Sequence, residues 1–162
     1  MRYGGRKEII GFSLLHRPIF AFRCGHGYPV GIVQAGIHAR EWITACLVME
    51  QIRLGVSRGT VWFLPLVNPD GALLSACGTD SVKEERRRKY LLSANGGSDF
   101  SLWKANAAAV DLNVNFDARW GEGLYNIRFP AAANYVGPAP FSEPETCALR
   151  DFTLSVRPQY TI

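Results

Sequence analysis

Two nearly uncharged runs with a helical run between them decide what this chain can fold into. Residues 30–36 (VGIVQAG) and 60–67 (TVWFLPLV) carry no charged side chain. Such short apolar runs, bounded by turn residues, read as strands buried on both faces. Between them, residues 41–54 (EWITACLVMEQIRL) place Ile43, Cys46, Leu47, Met49 and Ile52 at helical intervals, and Gly55 follows as a stop. Strand, helix, strand in succession is a crossover unit, and it predicts parallel pairing in an α/β fold. Residues 19–24 (IFAFRC), between Pro18 and Gly25, read as an earlier strand, and residues 25–29 as a turn.

The rest of the chain extends the same pattern. Asn68-Pro69-Asp70-Gly71 reads as a turn, residues 81–90 as a charged helix, residues 95–98 as a Gly-rich loop, and residues 110–112 as a short strand. Residues 118–140 scatter Gly, Pro and aromatics and read as loop. Ser142-Glu143-Pro144-Glu145 has the form of a capping box. The helix it opens runs to about residue 156, with Leu149, Phe152 and Val156 on one side and Pro158 as its stop, and residues 159–162 begin a further strand. The expected fold class is α/β, with a mostly parallel mixed sheet flanked by helices.

Composition excludes several function classes. With 162 residues, 48% of them apolar and 20% charged, the chain suits one globular domain. The net charge of +4 is mild. Its densest stretch, Glu84-Glu85-Arg86-Arg87-Arg88-Lys89, mixes acids with bases, which reads as a solvated helix face and not a nucleic-acid surface. No apolar run approaches the roughly 20 residues of a membrane span, and Met1 to Arg6 lack the apolar stretch of a signal peptide. Cys24, Cys46, Cys77 and Cys147 form no C-x-x-C pair; free thiols are expected, with Cys46 and Cys147 as small buried hydrophobes.

Chemistry concentrates in residues 36–42, GIHAREW, between a strand and a helix, where α/β folds place their sites. His38 and Glu41 are three apart, so one helical turn aims both at one point. Imidazole and carboxylate are ordinary zinc ligands, and a set of two His and one Glu leaves a fourth position open for water. H-x-x-E alone is also compatible with a surface His beside a helix-starting Glu.

The surroundings narrow the choice. GIHAREW closely resembles the zinc motif of the M14 metallocarboxypeptidases. Ile10-Gly11-Phe12-Ser13 with Arg17-Pro18-Ile19, then residues 66–71 (LVNPDG), 103–106 (WKAN) and 110–116 (VDLNVNF), match four further segments of that family in order. The resemblance implies a partial three-layer carboxypeptidase-like fold, zinc as cofactor and a peptide as substrate. It implies that His38 and Glu41 bind the metal, that Asp111 accepts a hydrogen bond from the ligand histidine, that Arg40 and Asn113 contact substrate, and that Lys104 acts in catalysis on the scissile carbonyl. The W-K-A-N and D-L-N strings look most like bacterial members, some of which act on cell-wall peptides containing diaminopimelate.

Two positions depart from the family. Val114 stands where D-x-N-R-N has an arginine, which removes the bidentate partner of a terminal carboxylate. Lys104 stands where many members have arginine and supplies a point charge without a fork. The family's third ligand, a His, its general-base Glu and a substrate-binding Tyr come later in the fold, and no His follows Glu41; His16 and His26 both read as loop residues. The chain is therefore expected to be the N-terminal part of one zinc-peptidase domain, truncated at its C-terminus and at its N-terminus, lacking the C-terminal half and inert alone. Two readings stay beside the peptidase: a related zinc hydrolase that removes acyl groups from amino acids, and a pseudo-peptidase that binds without chemistry.

Overall fold

The computed structural model describes residues 5–162; the sequence reading of residues 1–4 lies outside them. Five strands, β1 (Arg6–Phe12), β2 (Pro18–His26), β3 (Val30–Gln34), β4 (Gly59–Leu64) and β5 (Tyr160–Thr161), form one mixed sheet in the order β1-β2-β4-β3-β5. β3 pairs in parallel with β4 and with β5, while β1 and β2 add antiparallel pairings on the other side. β4 is buried along its whole length. Among the described residues four α-helices accompany the sheet: α1 (Ile43–Leu54), α2 (Pro69–Cys77), α3 (Glu85–Asn95) and α4 (Pro144–Val156). Among the described residues no helix is long and apolar enough to cross a membrane.

Alternation along β4 sorts the core into two layers. Val61 and Phe63 face α1 and pack with Val48 and Ile52. Trp62 and Leu64 face α4 and pack with Leu149 and Phe152, with the Phe152 ring edge-on to Trp62 at 5.2 Å. A third cluster, built from Leu74, Val82, Leu91, Phe100 and Trp103, joins α2, α3 and the segment after them, and it includes Ala39 of the GIHAREW motif.

Several elements differ from the sequence reading. The helix expected over residues 41–54 begins as a short 3-10 turn, Ala39–Glu41, and α1 turns Val48 and Ile52 inward while Ile43, Leu47 and Met49 stay exposed. α1 is apolar on more than one side, so periodicity alone does not say which stripe meets the sheet. All four cysteines are free, but Cys46 is exposed and Cys147 half-buried. The N-P-D-G segment is not a simple turn. Asn68 caps α2 by accepting from the Gly71 amide at 2.9 Å, and Pro69 takes the first helical position. The charged helix starts later than expected, at Glu85. Residues 110–112 form no strand; a 3-10 turn, Leu112–Val114, follows Asp111. The capping box does not form. Glu143 is the cap residue of α4, Ser142 Oγ donates to the Glu143 carboxylate, and Glu145 turns into the interior.

Beyond the C-terminal ends of β3 and β4 the two chains continue side by side. The Ala35 amide donates to Leu64, and the Val67 and Asn68 amides donate back to Ala35 and Gly36. Gly36 sits here at φ 62°, and a Cβ on it would lie 2.5 Å from Leu66 Cδ1. Gly36→Ala is expected to destabilise the fold by about 1–3 kcal/mol, since it joins a left-handed backbone to a clash. Urea denaturation checks this, and an unchanged midpoint would contradict the close approach.

Candidate metal centre

The turn that leaves β3 carries the candidate ligands. The Ala39 and Arg40 amides donate to the Lys104 and Trp103 carbonyls at 3.1 and 3.0 Å, so the buried 103–105 segment braces the turn. Thr44 Oγ1 donates to the Glu41 carbonyl at 2.7 Å and accepts from the Gly36 amide at 3.1 Å, tying the start of α1 back to the end of β3. Asn68 Nδ2 donates to the Ile37 and Ala105 carbonyls, which joins the same turn to α2 and to the brace. Sequence reading missed Asn68; its place before a proline is the signal that identifies it as a helix cap.

In this frame the imidazole of His38 lies between two carboxylates. Its Nδ1 is 3.0 and 3.1 Å from the two Glu41 oxygens. Its Nε2 faces Asp111 Oδ1 at 3.6 Å and has no hydrogen-bond partner although it is buried. Asp111 is fully buried. Its Oδ1 accepts from the Asn113 amide at 3.2 Å, and its Oδ2 accepts from the Asn134 amide at 3.0 Å and meets Lys104 Nζ at 3.2 Å.

The donor set fits a zinc ion at Nδ1. Zinc bonds of roughly 2.1 Å at tetrahedral angles hold two ligand atoms about 3.4 Å apart, close to the observed separation of Nδ1 and the Glu41 oxygens. A metal on Nδ1 leaves the ring proton on Nε2, where Asp111 stands ready to accept it, and that proton answers the unpartnered buried nitrogen. Among the described residues, no group of three or more His, Cys, Asp or Glu side chains converges on one point. His16 lies in the turn between β1 and β2, and His26 ends β2 at the surface.

The remaining candidates differ in exposure. Arg40 is exposed. Asn113 is exposed and lines two cavities, one of about 340 Å³ with Val114, Arg119 and Trp120, the other of about 410 Å³ with Ile37, Phe141 and Arg150. Lys104 is mostly covered, with 19% of its side chain accessible.

This sheet, with a histidine and a carboxylate meeting at the end of β3, is the arrangement of a zinc peptidase fold. The chain belongs to the zinc carboxypeptidase family, peptidase family M14, whose profile matches residues 6–162. It is 34% identical to gamma-D-glutamyl-L-diamino acid endopeptidase 1 of Lysinibacillus sphaericus, over 90% of this chain and 41% of that protein. It is 31% identical to mouse carboxypeptidase A2, over 92% of this chain and 36% of that one. The structure of murein-tripeptide amidase MpaA from Escherichia coli O157 superposes with a TM-score of 0.65 and 28% identity, covering 96% of this chain and 58% of that chain. The chain thus spans about two fifths of the length of these two curated relatives.

Proposed function

We propose that this chain carries the first two protein ligands of a zinc peptidase centre and serves hydrolysis of peptides. The observation behind this reading is the meeting of His38 Nδ1 with the Glu41 carboxylate while Nε2 faces buried Asp111. His38 and Glu41 hold the metal, and Asp111 fixes the imidazole in the form that leaves Nδ1 free. When bound, zinc supplies Lewis acidity toward a carbonyl oxygen and toward water. Lys104 contributes a positive charge near the ligand histidine, suited to the charge that develops on a carbonyl oxygen under attack. Arg40 and Asn113 offer hydrogen bonds to the substrate from the exposed rim. The names of the Lysinibacillus endopeptidase and the murein-tripeptide amidase favour cell-wall peptides as the substrate class. Val114, uncharged where a carboxylate would be gripped, favours cleavage that does not require a free chain terminus next to the scissile bond.

Two ligands hold zinc less well than three, and among the described residues no third His, Cys, Asp or Glu completes the set. The chain alone with added zinc is therefore expected to hydrolyse peptides little or not at all. Zinc-edge X-ray absorption on the loaded chain tests the centre. A nitrogen ligand lost in His38→Ala supports it, and a spectrum of sulfur ligands alone contradicts it. Robust peptide turnover by the chain, abolished by His38→Ala, would overturn the expectation of inertness.

A further inference from the structure

Lys104 and His38 touch the same carboxylate from opposite sides. Asp111 presents Oδ1 to His38 Nε2 at 3.6 Å and Oδ2 to Lys104 Nζ at 3.2 Å. The acid is fully buried, and Lys104 is the cation the structure brings against it. A carboxylate in such a place is stable only when paired. The backbone makes this pairing a built feature. The Lys104 amide donates to the Ala132 carbonyl at 2.9 Å and its carbonyl accepts from Ala39 at 3.1 Å, so one residue is pinned both to the segment that supplies the Asn134 donor and to the turn that carries His38.

We propose that Lys104 is a positioning residue for the zinc centre: its ammonium holds Asp111 Oδ2 so that Oδ1 faces the ligand histidine. The inference rests on the reading of His38 as a zinc ligand and goes beyond it by giving Lys104 a duty toward the metal that needs no substrate. The geometry explains why the duty falls to this residue. A carboxylate turns about its last bond, and one oxygen aimed at Nε2 requires the other to be held. The Asn113 amide, a neutral donor, holds Oδ1 at 3.2 Å on the histidine side, so the charged hold on the carboxylate comes from the Oδ2 side. Lys104 and the Asn134 amide hold Oδ2 together. An ammonium has three donors, so the contact with Asp111 leaves two of them for other partners.

The test is zinc titration of the folded native chain and five variants, together with the ring ¹⁵N shifts of His38 in those that keep it. Loss of a hydrogen-bond partner behind a ligand histidine weakens metal binding about 10–100-fold. Lys104→Met is expected to weaken zinc binding about tenfold and to shift the His38 Nε2 resonance in the metal-free chain. Lys104→Arg, which restores a cation, is expected to stay within about threefold of the native chain. Asp111→Asn is expected to weaken binding by a comparable factor, and Lys104→Met added to Asp111→Asn to bring no further loss, because both act through one contact. Native affinity in Lys104→Met, or a second tenfold loss on the Asp111→Asn background, would overturn the proposal while leaving the zinc centre standing. Unchanged affinity in His38→Ala would instead remove the centre itself, and the positioning role with it. Circular dichroism and urea midpoints confirm that each variant compared is folded.

Discussion

Asp70→Ala is expected to destabilise this chain by about 3–5 kcal/mol, the range for removing one partner of a buried ion pair. Asp70 stands in the first turn of α2, where a negative charge is favoured, and it is almost wholly buried. Its Oδ1 accepts from Ser13 Oγ at 2.9 Å and pairs with Arg17 Nη1 at 2.6 Å, and its Oδ2 accepts from the Leu15 amide at 2.8 Å. One carboxylate therefore organises the whole turn between β1 and β2. Truncation leaves the half-buried Arg17 guanidinium with the Ser81 carbonyl but no carboxylate, and the Leu15 amide without its acceptor. Asp70→Asn keeps the volume and part of the bonding but loses the charge, and its loss should be smaller. Chemical denaturation of the two variants checks this. A change under about 1 kcal/mol for Asp70→Ala would show that the turn does not depend on the pair.

The second large effect is a pH dependence set by Glu145. This side chain is fully buried in α4. Burial pushes its carboxyl up from 4.5 to about 7; hydrogen bonds from its own amide, the Leu14 amide and Asn106 oppose the rise, and the charge of Asp70 adds to it. Asn106 Nδ2 also donates to Glu143 at 2.7 Å, so two buried acids share one amide group. The sign follows from linkage. Below pH 4.5 the carboxyl is protonated in both the folded and the unfolded chain and has no effect. Between 4.5 and about 7 the unfolded chain releases the proton while the folded chain keeps it, so folding stability falls as pH rises and the loss is complete above about pH 7. A shift of this size corresponds to roughly 3 kcal/mol. Glu145→Gln retains an oxygen for the Leu14 amide and cannot ionise. Relative to the native chain, it should therefore gain roughly 3 kcal/mol of stability between pH 4.5 and pH 8. Parallel stability-versus-pH curves for the two proteins would contradict the assignment.

What sequence reading reached and what it missed divide along the distance between interacting residues. β2, β3 and β4 were legible because each is a short run without acidic residues, closed by Gly or Pro, and such runs have few other uses. His38 and Glu41 were legible because their approach is local, three residues along one turn. Asp111 was reached only through the family resemblance, for nothing within residues 105–116 says that its carboxylate ends up behind a histidine 73 positions earlier. Glu145 shows the opposite failure. The S-x-x-E pattern offered a local role, but the Leu14 amide, 131 residues away, competes for the carboxylate and takes it at 3.1 Å. α2 was hidden because Asn-Pro-Asp-Gly serves equally as a turn and as a helix start. The link from Lys104 to Asp111 to His38 has no trace in residue spacing, because three separate segments create it.

A metal site at His38 and Glu41 is the centre of the proposed function, and calorimetric titration of zinc into the native chain, His38→Ala and Glu41→Ala measures it most directly. The expected result is one zinc per native chain, with affinity reduced at least about tenfold in each variant, since each removes one of two protein ligands. Equal zinc binding by all three proteins, as exposed Cys46 and Cys77 would give by themselves, would contradict it.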